Sequence, residues 1–399
     1  MARGAFFNIP FHGHTNATFP VVRELVDRGE DITYYLTDSF RPQVERSGAR
    51  FHRYESTVEE DLKSGTVGFL PARMPAESRA VIPQLLEAVR AQRPDYVVYD
   101  PLCLWGQILA KHLRIPAVLF RPTMVVMPRG GASLDFMKSR VAMFPGLFEQ
   151  AGKELAALLQ EYGLPPADLW GTLSHAEPLS LVCVPRAFQP GGESFDERYV
   201  FVGPSIRARG DTGDFPLAHL EGGPVLYISL GTVFNNWPEF YRMCFAAFGG
   251  TPWRVVLSTG HKVNVAELGA VPDNILVRPS VPQLEVLERT SVFVTHGGAN
   301  SLMESFAHGV PVVVIPQMAE QPLNAARVAE LGLGLALQRE TVTVEQLRQA
   351  VDQVSREPSF REKARTMQRE VRDSGGYRRA AEAILAYRER QRPGGTSAS

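Results

Sequence analysis

Short runs of β-branched and aromatic residues alternate with longer helical segments, and this alternation limits the fold more than any other feature of the chain. In the first half it predicts strands at residues 5–9, 32–36, 50–54, 95–99, 117–120, 179–184 and 199–202. It predicts helices among them at residues 18–28, 77–92 and 102–113. Strands that alternate with helices form βαβ units and therefore a parallel sheet.

The alternation stops at residues 203–224 and then restarts. This stretch holds five glycines, three prolines and little apolar periodicity, which is typical of a linker. Beyond it, strands are predicted at residues 225–230, 254–257, 275–277, 292–295 and 312–315, with a short edge strand near Leu335. Helices are predicted near residues 344–356, 359–373 and 377–390.

The repeated pattern predicts an α/β protein with two tandem, doubly wound, Rossmann-like domains that face each other across a cleft. The first domain is expected at residues 1–207, the linker at 208–224 and the second domain at 225–376. A helix at 377–392 and a small, polar, disordered tail at 393–399 are expected to follow. Because open parallel sheets bind ligands at the carboxyl ends of their strands, we expect the functional residues in the loops there.

The composition excludes several classes of protein. Of 399 residues, 44% are hydrophobic and 21% are charged, as in globular proteins rather than disordered or fibrous ones. Lysine and arginine (42) balance aspartate and glutamate (43), so no basic excess favours a nucleic acid or an anionic membrane. The three cysteines are far apart and have no zinc-type spacing. The sequence also has no signal peptide and no apolar run near the ~18 residues of a membrane span, so it predicts a cytoplasmic protein.

Two histidines, His12 and His14, follow the first predicted strand within the segment PFHGHTN at residues 10–16. A histidine here can add polarity to a loop or cap a helix, and a His-x-His pair can bind a metal, although no third ligand is near. The position at the end of a central strand favours catalysis, because a neutral imidazole suits a general base near pH 7.

Asp100 follows the fourth predicted strand, which neighbours the first strand in a doubly wound sheet. Its carboxylate could therefore meet His14, fix the tautomer of the ring and stabilise the imidazolium that forms on proton abstraction. The alternative is an Asx turn or a cap before the next helix. The sequence leaves these two readings of Asp100 equally weighted.

Loops of the second domain carry residues that suit a phosphorylated ligand. Its first strand ends near Ser229, Gly231 and Thr232, where a glycine lets the backbone approach a phosphate and Thr232 can donate a hydrogen bond. The segment HGGANSLME at residues 296–304 follows the fourth strand and begins a helix, whose N-terminus favours an anion.

Some of these residues also have readings that need no ligand. Ser301 and Glu304 match a capping box, which explains both without an anion. Glu320 and Gln321 follow the next strand and could either bind the hydroxyl groups of a polyol or be exposed loop residues.

Together these motifs resemble the nucleotide-sugar signature of inverting family-one glycosyltransferases, especially the bacterial macrolide and flavonoid glycosyltransferases. The resemblance rests on SVPQ at 280–283, THGGANSLME at 295–304, GVP at 309–311 and EQ at 320–321. GHTN at 13–16 resembles the catalytic loop of the same family. The resemblance spans residues 5 to about 390.

The resemblance implies a GT-B fold, with the acceptor on the first domain, the nucleotide sugar on the second and the last helix crossing back to the first. It implies His14 as the general base and Asp100 as its partner. The residues implied for the donor are His296, Gly298, Asn300, Ser301 and Thr232 at the diphosphate, Glu304 at the ribose, Gln283 and Val281 at the base, Glu320 and Gln321 at the sugar, with Ser229, Gly231 and Gly297 beside them.

Ser280 departs from the family, which often has a tryptophan there that stacks on uracil. Serine cannot stack, so either another residue covers the base or base selectivity is looser, and thymidine diphosphate donors become plausible beside UDP-glucose. The sequence also contains no Asp-x-Asp motif to hold a divalent metal against the diphosphate. It therefore predicts a metal-independent enzyme whose nucleotide sugar is a co-substrate, without a tightly bound cofactor.

Apolar residues in the loop-rich stretches 64–76 and 121–148 predict a pocket for a hydrophobic acceptor, although core packing explains each of them as well. The candidates are Phe11, Phe69, Met124, Phe136, Met137, Met143 and Phe144.

The predicted function is transfer of a hexose, with glucose favoured, to a hydroxyl group of a macrolide, polyketide or polyphenol. The enzyme is expected to be a monomer or homodimer and to serve antibiotic biosynthesis or self-resistance. Two alternatives are a nucleotide-sugar 2-epimerase and a non-catalytic nucleotide-sugar-binding protein.

Overall fold

The computed structural model describes residues 1–64, 70–125, 139, 141–207, 214–233, 235–318 and 320–391. The chain divides into two compact units, Met1–Ile206 with the segment from Ser374 onward, and Arg207–Asp373. Each unit is built on a parallel sheet flanked by helices. The α/β class with two Rossmann-like domains, which the alternation predicts, is confirmed.

The first unit is built on the strands β1 (Arg3–Phe7), β2 (Asp31–Leu36), β3 (Arg50–Arg53), β4 (Tyr96–Tyr99), β5 (Ala117–Arg121), β6 (Leu179–Val182) and β7 (Tyr199–Phe201). Within the described residues they form one parallel sheet in the order β3-β2-β1-β4-β5-β6-β7. The order reverses between β1 and β4, where Phe7 pairs with Tyr99. This reversal is the switch point at which a doubly wound sheet binds ligands.

Helices cover this sheet and bury its apolar strands, as parallel sheets require. They are α1 (His12–Asp27), α2 (Arg41–Arg46), α3 (Glu59–Ser64), α4 (Met74–Gln92), α5 (Leu104–Leu113), α6 (Pro145–Glu161) and α7 (Leu169–Ser174). The strand β4, with the sequence YVVY, is buried at every position. The loops at the carboxyl ends of β1 and β4 are therefore held by a continuous core.

Helix α1 begins at His12, six residues before the predicted start at residue 18. The hydroxyl of Thr15 lies 3.2 Å from the carbonyl of Phe11, and the hydroxyl of Thr18 donates to the carbonyl of Thr15 at 2.7 Å. Pro20 lies inside the helix, although it supplies no backbone N–H. His14 therefore belongs to the first turn of a helix, which corrects its predicted place in a loop.

The second unit is built on β8 (Val225–Ser229), β9 (Arg254–Ser258), β10 (Ile275–Arg278), β11 (Thr290–Thr295), β12 (Val312–Val314) and β13 (Gly334–Ala336). Its helices are α8 (Pro238–Phe248), α9 (Gln283–Leu287), α10 (Ala299–Ala307), α11 (Gln321–Glu330), α12 (Val344–Arg356) and α13 (Pro358–Asp373). In the part of the chain that is described, the strand order is β10-β9-β8-β11-β12-β13. The order reverses between β8 and β11, where Ser229 pairs with Thr295.

The last helix, α14 (Gly376–Gln391), belongs to the first unit. It packs against α1, and its residues Ala380 and Ala381 are fully buried. Arg388 forms an ion pair with the buried carboxylate of Glu30. The packing ties α14 to the helix that carries His14, and the ion pair ties it to the residue before β2.

Part of the predicted linker lies inside the second unit. Residues 214–224 include a short 3₁₀ helix, Leu217–Leu220, whose Leu220 is buried. The ring of His219 lies 3.2 Å from the carbonyl of Val255, so this stretch is attached to β9. A further finding concerns membranes: no helix of the described residues has the length and apolar character needed to span one.

Candidate functional site

The switch point of the first sheet brings two predicted residues together. His14, in the first turn of α1, has its Nδ1 atom 2.6 Å from Oδ2 of Asp100, which follows β4. The side chain of Asp100 is 1% exposed and that of His14 is 15% exposed. Because a carboxylate can only accept, Nδ1 carries the proton and donates it, which leaves Nε2 of the imidazole as an acceptor.

The two carboxylate oxygens of Asp100 have different partners. Oδ2 accepts from His14, and Oδ1 accepts from the backbone N–H of Leu102 at 2.8 Å. The second bond is an Asx turn, the alternative that the sequence offers for this residue. The contact with His14 and the Asx turn therefore occur together, and the turn fixes the carboxylate that contacts the imidazole.

His296 lies at the switch point of the second sheet, in the loop after β11. Its ring sits between two glycines, because a Cβ on Gly231 would lie 2.6 Å from its Cε1 atom, and a Cβ on Gly298 would clash with its Nε2 atom. Gly231 also has a φ angle of +80°. These glycines are therefore needed to admit the ring, a reason that the sequence reading did not give.

Burial lowers the pKa of His296 to about 4, and a hydrogen bond with the backbone of Ser229 opposes this shift. The ring is therefore neutral near pH 7 and carries one N–H group. That N–H group donates to the backbone carbonyl of Ser229, so the ring brings no positive charge to this loop.

The start of helix α10 has backbone donors without a side-chain cap. Gly298 is the N-cap residue, so the helix has no side-chain cap at its start. The predicted capping box is therefore wrong, because Ser301 and Glu304 lie inside α10 instead of bracketing its start. A helix start of this kind favours an anion, and Asn300 and Ser301 lie partly exposed on its first turn.

Two buried side chains, those of Asn324 and Thr295, contact the backbone of Gly297. Its carbonyl accepts from Nδ2 of Asn324 at 2.8 Å, and its N–H lies 3.4 Å from the hydroxyl oxygen of Thr295. Asn324 is 1% exposed and Thr295 is fully buried. The sequence did not predict a role for Asn324, because a buried amide leaves no periodic pattern. The one signal was a polar residue on the inner face of α11.

Glu304 and Gln283 belong to one hydrogen-bonded chain. The Tyr227 hydroxyl donates to Oε1 of Gln283 at 2.9 Å, and Nε2 of Gln283 donates to Oε2 of Glu304 at 2.5 Å. The Tyr227 ring stacks on Phe293, with ring centroids 4.6 Å apart. This chain fixes both side chains that the family resemblance places beside a nucleoside.

Gln321 supports the loop that precedes α11. Its Oε1 atom accepts from the backbone N–H groups of Gln317 and Met318, at 2.7 and 3.1 Å. The side-chain oxygen of Gln321 is thus bound within the protein, and the side-chain NH₂ group is the part that can contact a ligand. Glu320 occupies the N-cap position of α11, without a side-chain cap hydrogen bond, and is partly exposed.

The remaining predicted donor residues differ in exposure. Ser229 is buried, and its Oγ lies 3.3 Å from the N–H of Gly231. Thr232 is exposed, and Val281 is partly buried just before α9. Ser280, where the family often has tryptophan, is exposed.

The predicted acceptor residues are only partly described. Phe69, Phe136 and Met137 lie outside the described residues. The ring centroid of Phe11 is 5.6 Å from that of His14, so this side chain borders the candidate base.

The other three acceptor candidates differ in exposure. Met124 is 9% exposed. Met143 and Phe144 are exposed, at 60% and 38%, and Phe144 precedes α6.

A groove of about 540 Å³ lies between α6 and α7 and was not predicted. The stacked rings of Phe148 and Trp170, with centroids 5.5 Å apart, form part of its wall. The full lining is Val141, Phe148, Gly152, Pro166, Ala167, Asp168, Leu169 and Trp170. In the described parts of the chain, no group of three or more His, Cys, Asp or Glu side chains could hold a metal ion.

Comparisons with known proteins agree with this architecture. The family model for the C-terminal domain of erythromycin biosynthesis protein CIII-like proteins matches residues 254–375. The NDP-glycosyltransferase YjiC of Bacillus subtilis (strain 168) is 37% identical over 387 residues, which cover 96% of this chain and 96% of the relative. The oleandomycin glycosyltransferase of Streptomyces antibioticus is 34% identical over 402 residues, which cover 98% of this chain and 93% of the relative.

Among solved structures, the calicheamicin glycosyltransferase CalG4 superposes with a TM-score of 0.86 at 34% identity, covering 98% of this chain and 100% of that one. The fold, the two switch-point loops and these relatives define a GT-B glycosyltransferase. The chain belongs to the family of bacterial glycosyltransferases that includes YjiC and the macrolide glycosyltransferases, which confirms the resemblance drawn from its motifs.

Proposed function

We propose that this protein is an inverting glycosyltransferase that moves a hexose, glucose being the first candidate, from a nucleotide diphosphate sugar to a hydroxyl group of a hydrophobic natural product. The observation that carries this proposal is the 2.6 Å contact between His14 Nδ1 and Asp100 Oδ2 at the switch point of the first sheet. It leaves Nε2 of His14 as the acceptor for a proton, which is what a general base requires.

In the proposed reaction, Nε2 of His14 takes the proton of the acceptor hydroxyl while that oxygen attacks the anomeric carbon. The bond between this carbon and the diphosphate oxygen breaks, and its electron pair leaves with the diphosphate. Attack from the opposite face converts an α-linked donor into a β-glycoside. Asp100 stabilises the imidazolium that results, and general base catalysis of this kind contributes about 10²–10⁴-fold.

We propose that the donor binds at the switch point of the second sheet. The diphosphate meets the start of α10, because the backbone donors there are uncapped and favour an anion. Its partners are Thr232, His296, Gly297, Gly298, Asn300 and Ser301, with Ser229 and Gly231 shaping the loop.

The nucleoside and the sugar occupy the neighbouring loops in this proposal. Glu304 and Gln283 bind the ribose and the base, because the Tyr227–Gln283–Glu304 chain holds both side chains in place. Val281 contributes its backbone at the base. Glu320 and the amide group of Gln321 bind hydroxyl groups of the sugar.

The identity of the nucleotide depends on Ser280. The side chain of Ser280 is exposed and has no ring that could stack on a base, so UDP and TDP sugars are both candidate donors. We propose that transfer needs no metal, because helix-start donors and neutral side chains meet the diphosphate and the sequence has no Asp-x-Asp motif. EDTA is expected to leave the rate unchanged.

The names of relatives support a natural-product acceptor. One relative is the oleandomycin glycosyltransferase and another, 33% identical over 398 residues, is the demethyllactenocin mycarosyltransferase of Streptomyces fradiae. We infer a macrolide or polyketide acceptor first and a polyphenol second. Because these relatives are named as transferases, transfer is favoured over 2-epimerisation and over non-catalytic binding. We place the enzyme in the cytoplasm, as a monomer or homodimer.

The experiment is release of nucleoside diphosphate by the purified protein in EDTA, with UDP-glucose or TDP-glucose and a panel of macrolide and phenolic acceptors. Acceptor-dependent release that is lost in His14→Ala supports the proposal, and NMR coupling of the anomeric proton shows whether the product is the β-glycoside. Full activity of His14→Ala rejects His14 as the base. Conversion of the nucleotide sugar without an acceptor supports the epimerase instead.

A further inference from the structure

A buried hydroxyl lies directly beneath the helix that carries His14. Tyr34 is on β2, and its hydroxyl oxygen is 2.7 Å from Oγ1 of Thr18 on α1 and 3.1 Å from Nδ2 of Asn8, which follows β1. The exposed fractions of these residues are 0% for Tyr34, 3% for Thr18 and 1% for Asn8. The three side chains thus link β2, the end of β1 and α1 in the interior of the first unit.

The direction of each hydrogen bond in this group follows from its partners. Thr18 Oγ1 donates to the carbonyl of Thr15 at 2.7 Å, since a carbonyl can only accept, and Thr18 must therefore accept from Tyr34. The Tyr34 oxygen in turn accepts from the amide N–H of Asn8. The bonds run one way, from Asn8 through Tyr34 and Thr18 to the backbone of α1.

This chain ends next to His14. Thr18 is four residues after His14, so the two side chains lie on the same face of α1, one turn apart. Thr15, whose carbonyl ends the chain, is the next residue after His14. A hydrogen bond at Thr18 therefore fixes the rotation of α1 about its axis at the turn from which the imidazole projects.

The other end of the chain fixes the turn between β1 and α1. The side-chain carbonyl of Asn8 accepts from the N–H of Ile9 at 2.9 Å, and the backbone carbonyl of Asn8 accepts from the Tyr54 hydroxyl at 2.7 Å. Burial raises the pKa of both Tyr34 and Tyr54 well above the ordinary phenol value, so both remain hydroxyl donors at neutral pH. Both sides of this turn are thus held by neutral hydroxyl groups.

We propose that the Tyr34 hydroxyl is a positioning group for His14, which acts through Thr18 to hold the imidazole between Asp100 and the acceptor hydroxyl. The inference rests on the proposed role of His14 as the base. Catalysis is sensitive to such placement, because an error of about 1 Å in a reacting group can cost roughly 10²-fold in rate.

Removal of the hydroxyl alone separates this role from packing. The Tyr34 ring packs against Phe6 and Phe19, with centroids 5.8 and 5.7 Å apart, and a phenylalanine keeps both contacts. A matched control exists at Tyr96, the first residue of β4, which is also fully buried and donates its hydroxyl to Glu30 at 3.1 Å. It lies at the amino ends of the strands, away from His14.

The experiment compares Tyr34→Phe with Tyr96→Phe, and Thr18→Val with Thr18→Ser, which keeps the hydroxyl. The measurements are kcat, the KM of each substrate, the pH dependence of kcat and thermal stability, made with the full chain. We expect kcat to fall about tenfold in Tyr34→Phe and Thr18→Val, with both KM values within about twofold of the parent. Tyr96→Phe is expected to lose comparable stability and to keep its kcat, and Thr18→Ser to recover kcat.

Two outcomes overturn the inference: a parental kcat in Tyr34→Phe and Thr18→Val, or an equal fall of kcat in Tyr34→Phe and Tyr96→Phe. If Tyr34→Phe does not fold, the valine and serine variants of Thr18 decide the question, because they differ by the hydroxyl group. His14→Ala, measured beside them, separates the two proposals. An active His14→Ala variant rejects the base itself, whereas an inactive one beside an unaffected Tyr34→Phe rejects only the positioning role.

Discussion

Asp100 binds two groups at once: Nδ1 of His14 lies 2.6 Å from its Oδ2 atom, and the N–H of Leu102 donates to its Oδ1 atom at 2.8 Å. The backbone bond stops the carboxylate from rotating. The imidazole is therefore held in the tautomer that carries its proton on Nδ1. Because the main chain already fixes the carboxylate, the carboxylate does not have to reorient when a proton arrives on Nε2 of His14.

We expect Asp100→Asn to fold normally and to lose about 10²-fold or more in kcat. The asparagine oxygen can still accept from Leu102, which turns its NH₂ group toward His14. An NH₂ group can only donate, so it forces the proton of the imidazole from Nδ1 to Nε2 and removes the base. Steady-state kinetics with saturating donor and acceptor measure this loss.

The control for Asp100→Asn is Asp168→Asn. Asp168 also accepts from a backbone N–H, that of Gly171 at 2.6 Å, where it caps α7. This variant makes the same change of charge in the same unit without a histidine partner, and its kcat is expected to stay near the parental value. A comparable fall of kcat in both variants would show that the loss is not specific to the imidazole.

A second prediction concerns Asn324, whose amide holds the carbonyl of Gly297 at 2.8 Å. Asn324→Ala removes this bond, worth about 0.5–1.5 kcal/mol, and frees the loop before α10. We expect the KM of the nucleotide sugar to rise several-fold, up to about tenfold, with the KM of the acceptor unchanged. Initial rates over a matrix of both substrates separate the two constants.

Asn274→Ala is the matched control for Asn324→Ala. The Asn274 amide donates to the carbonyls of Phe248 and Trp253, both at 2.9 Å, just before β10 and thus at the opposite end of the second sheet. It should lower stability without changing the KM of the donor. If the two variants raise this KM equally, Asn324 acts on the fold as a whole and not on the Gly297 loop.

The pairing of the first strand with the fourth and the meeting of His14 with Asp100 could be predicted from the sequence. Alternation of strands with helices fixes a parallel sheet, and its winding rule makes the first and fourth strands neighbours. Residues 86 positions apart are thereby placed at one end of the sheet. The apolar strands, which give the strongest signal in a sequence, were therefore sufficient to predict this part of the site.

Helix starts and buried polar contacts could not be predicted in the same way. Phe11 and Gly298 precede α1 and α10 without a capping side chain, so the usual signal for a helix start is missing at both switch points. Tyr34 and Asn324 act through single hydrogen bonds in the interior. Such bonds depend on the three-dimensional packing of distant elements, and no period in the sequence marks them.

The third prediction concerns the pH dependence of stability. The folded state holds the pKa of His296 at about 4, because burial disfavours the charged ring, whereas the unfolded chain has an ordinary value near 6.5. As the pH falls from about 6.5 toward 4, the unfolded state binds a proton that the folded state does not. The free energy of unfolding therefore decreases across this window, and His296 accounts for about 1–2 kcal/mol of the decrease after allowance for partial solvent screening.

His296→Gln is expected to flatten this dependence, because glutamine does not titrate, and urea unfolding at pH 7.5 and pH 5.0 measures the difference. His52 and His308 also have pKa values lowered by burial and change stability in the same direction, so part of the loss remains in the variant. The control is His261→Gln, which makes the same replacement at an exposed position of the same unit. An equal loss of stability in His296→Gln and the parent protein would mean that the His296 ring is not desolvated between Gly231 and Gly298.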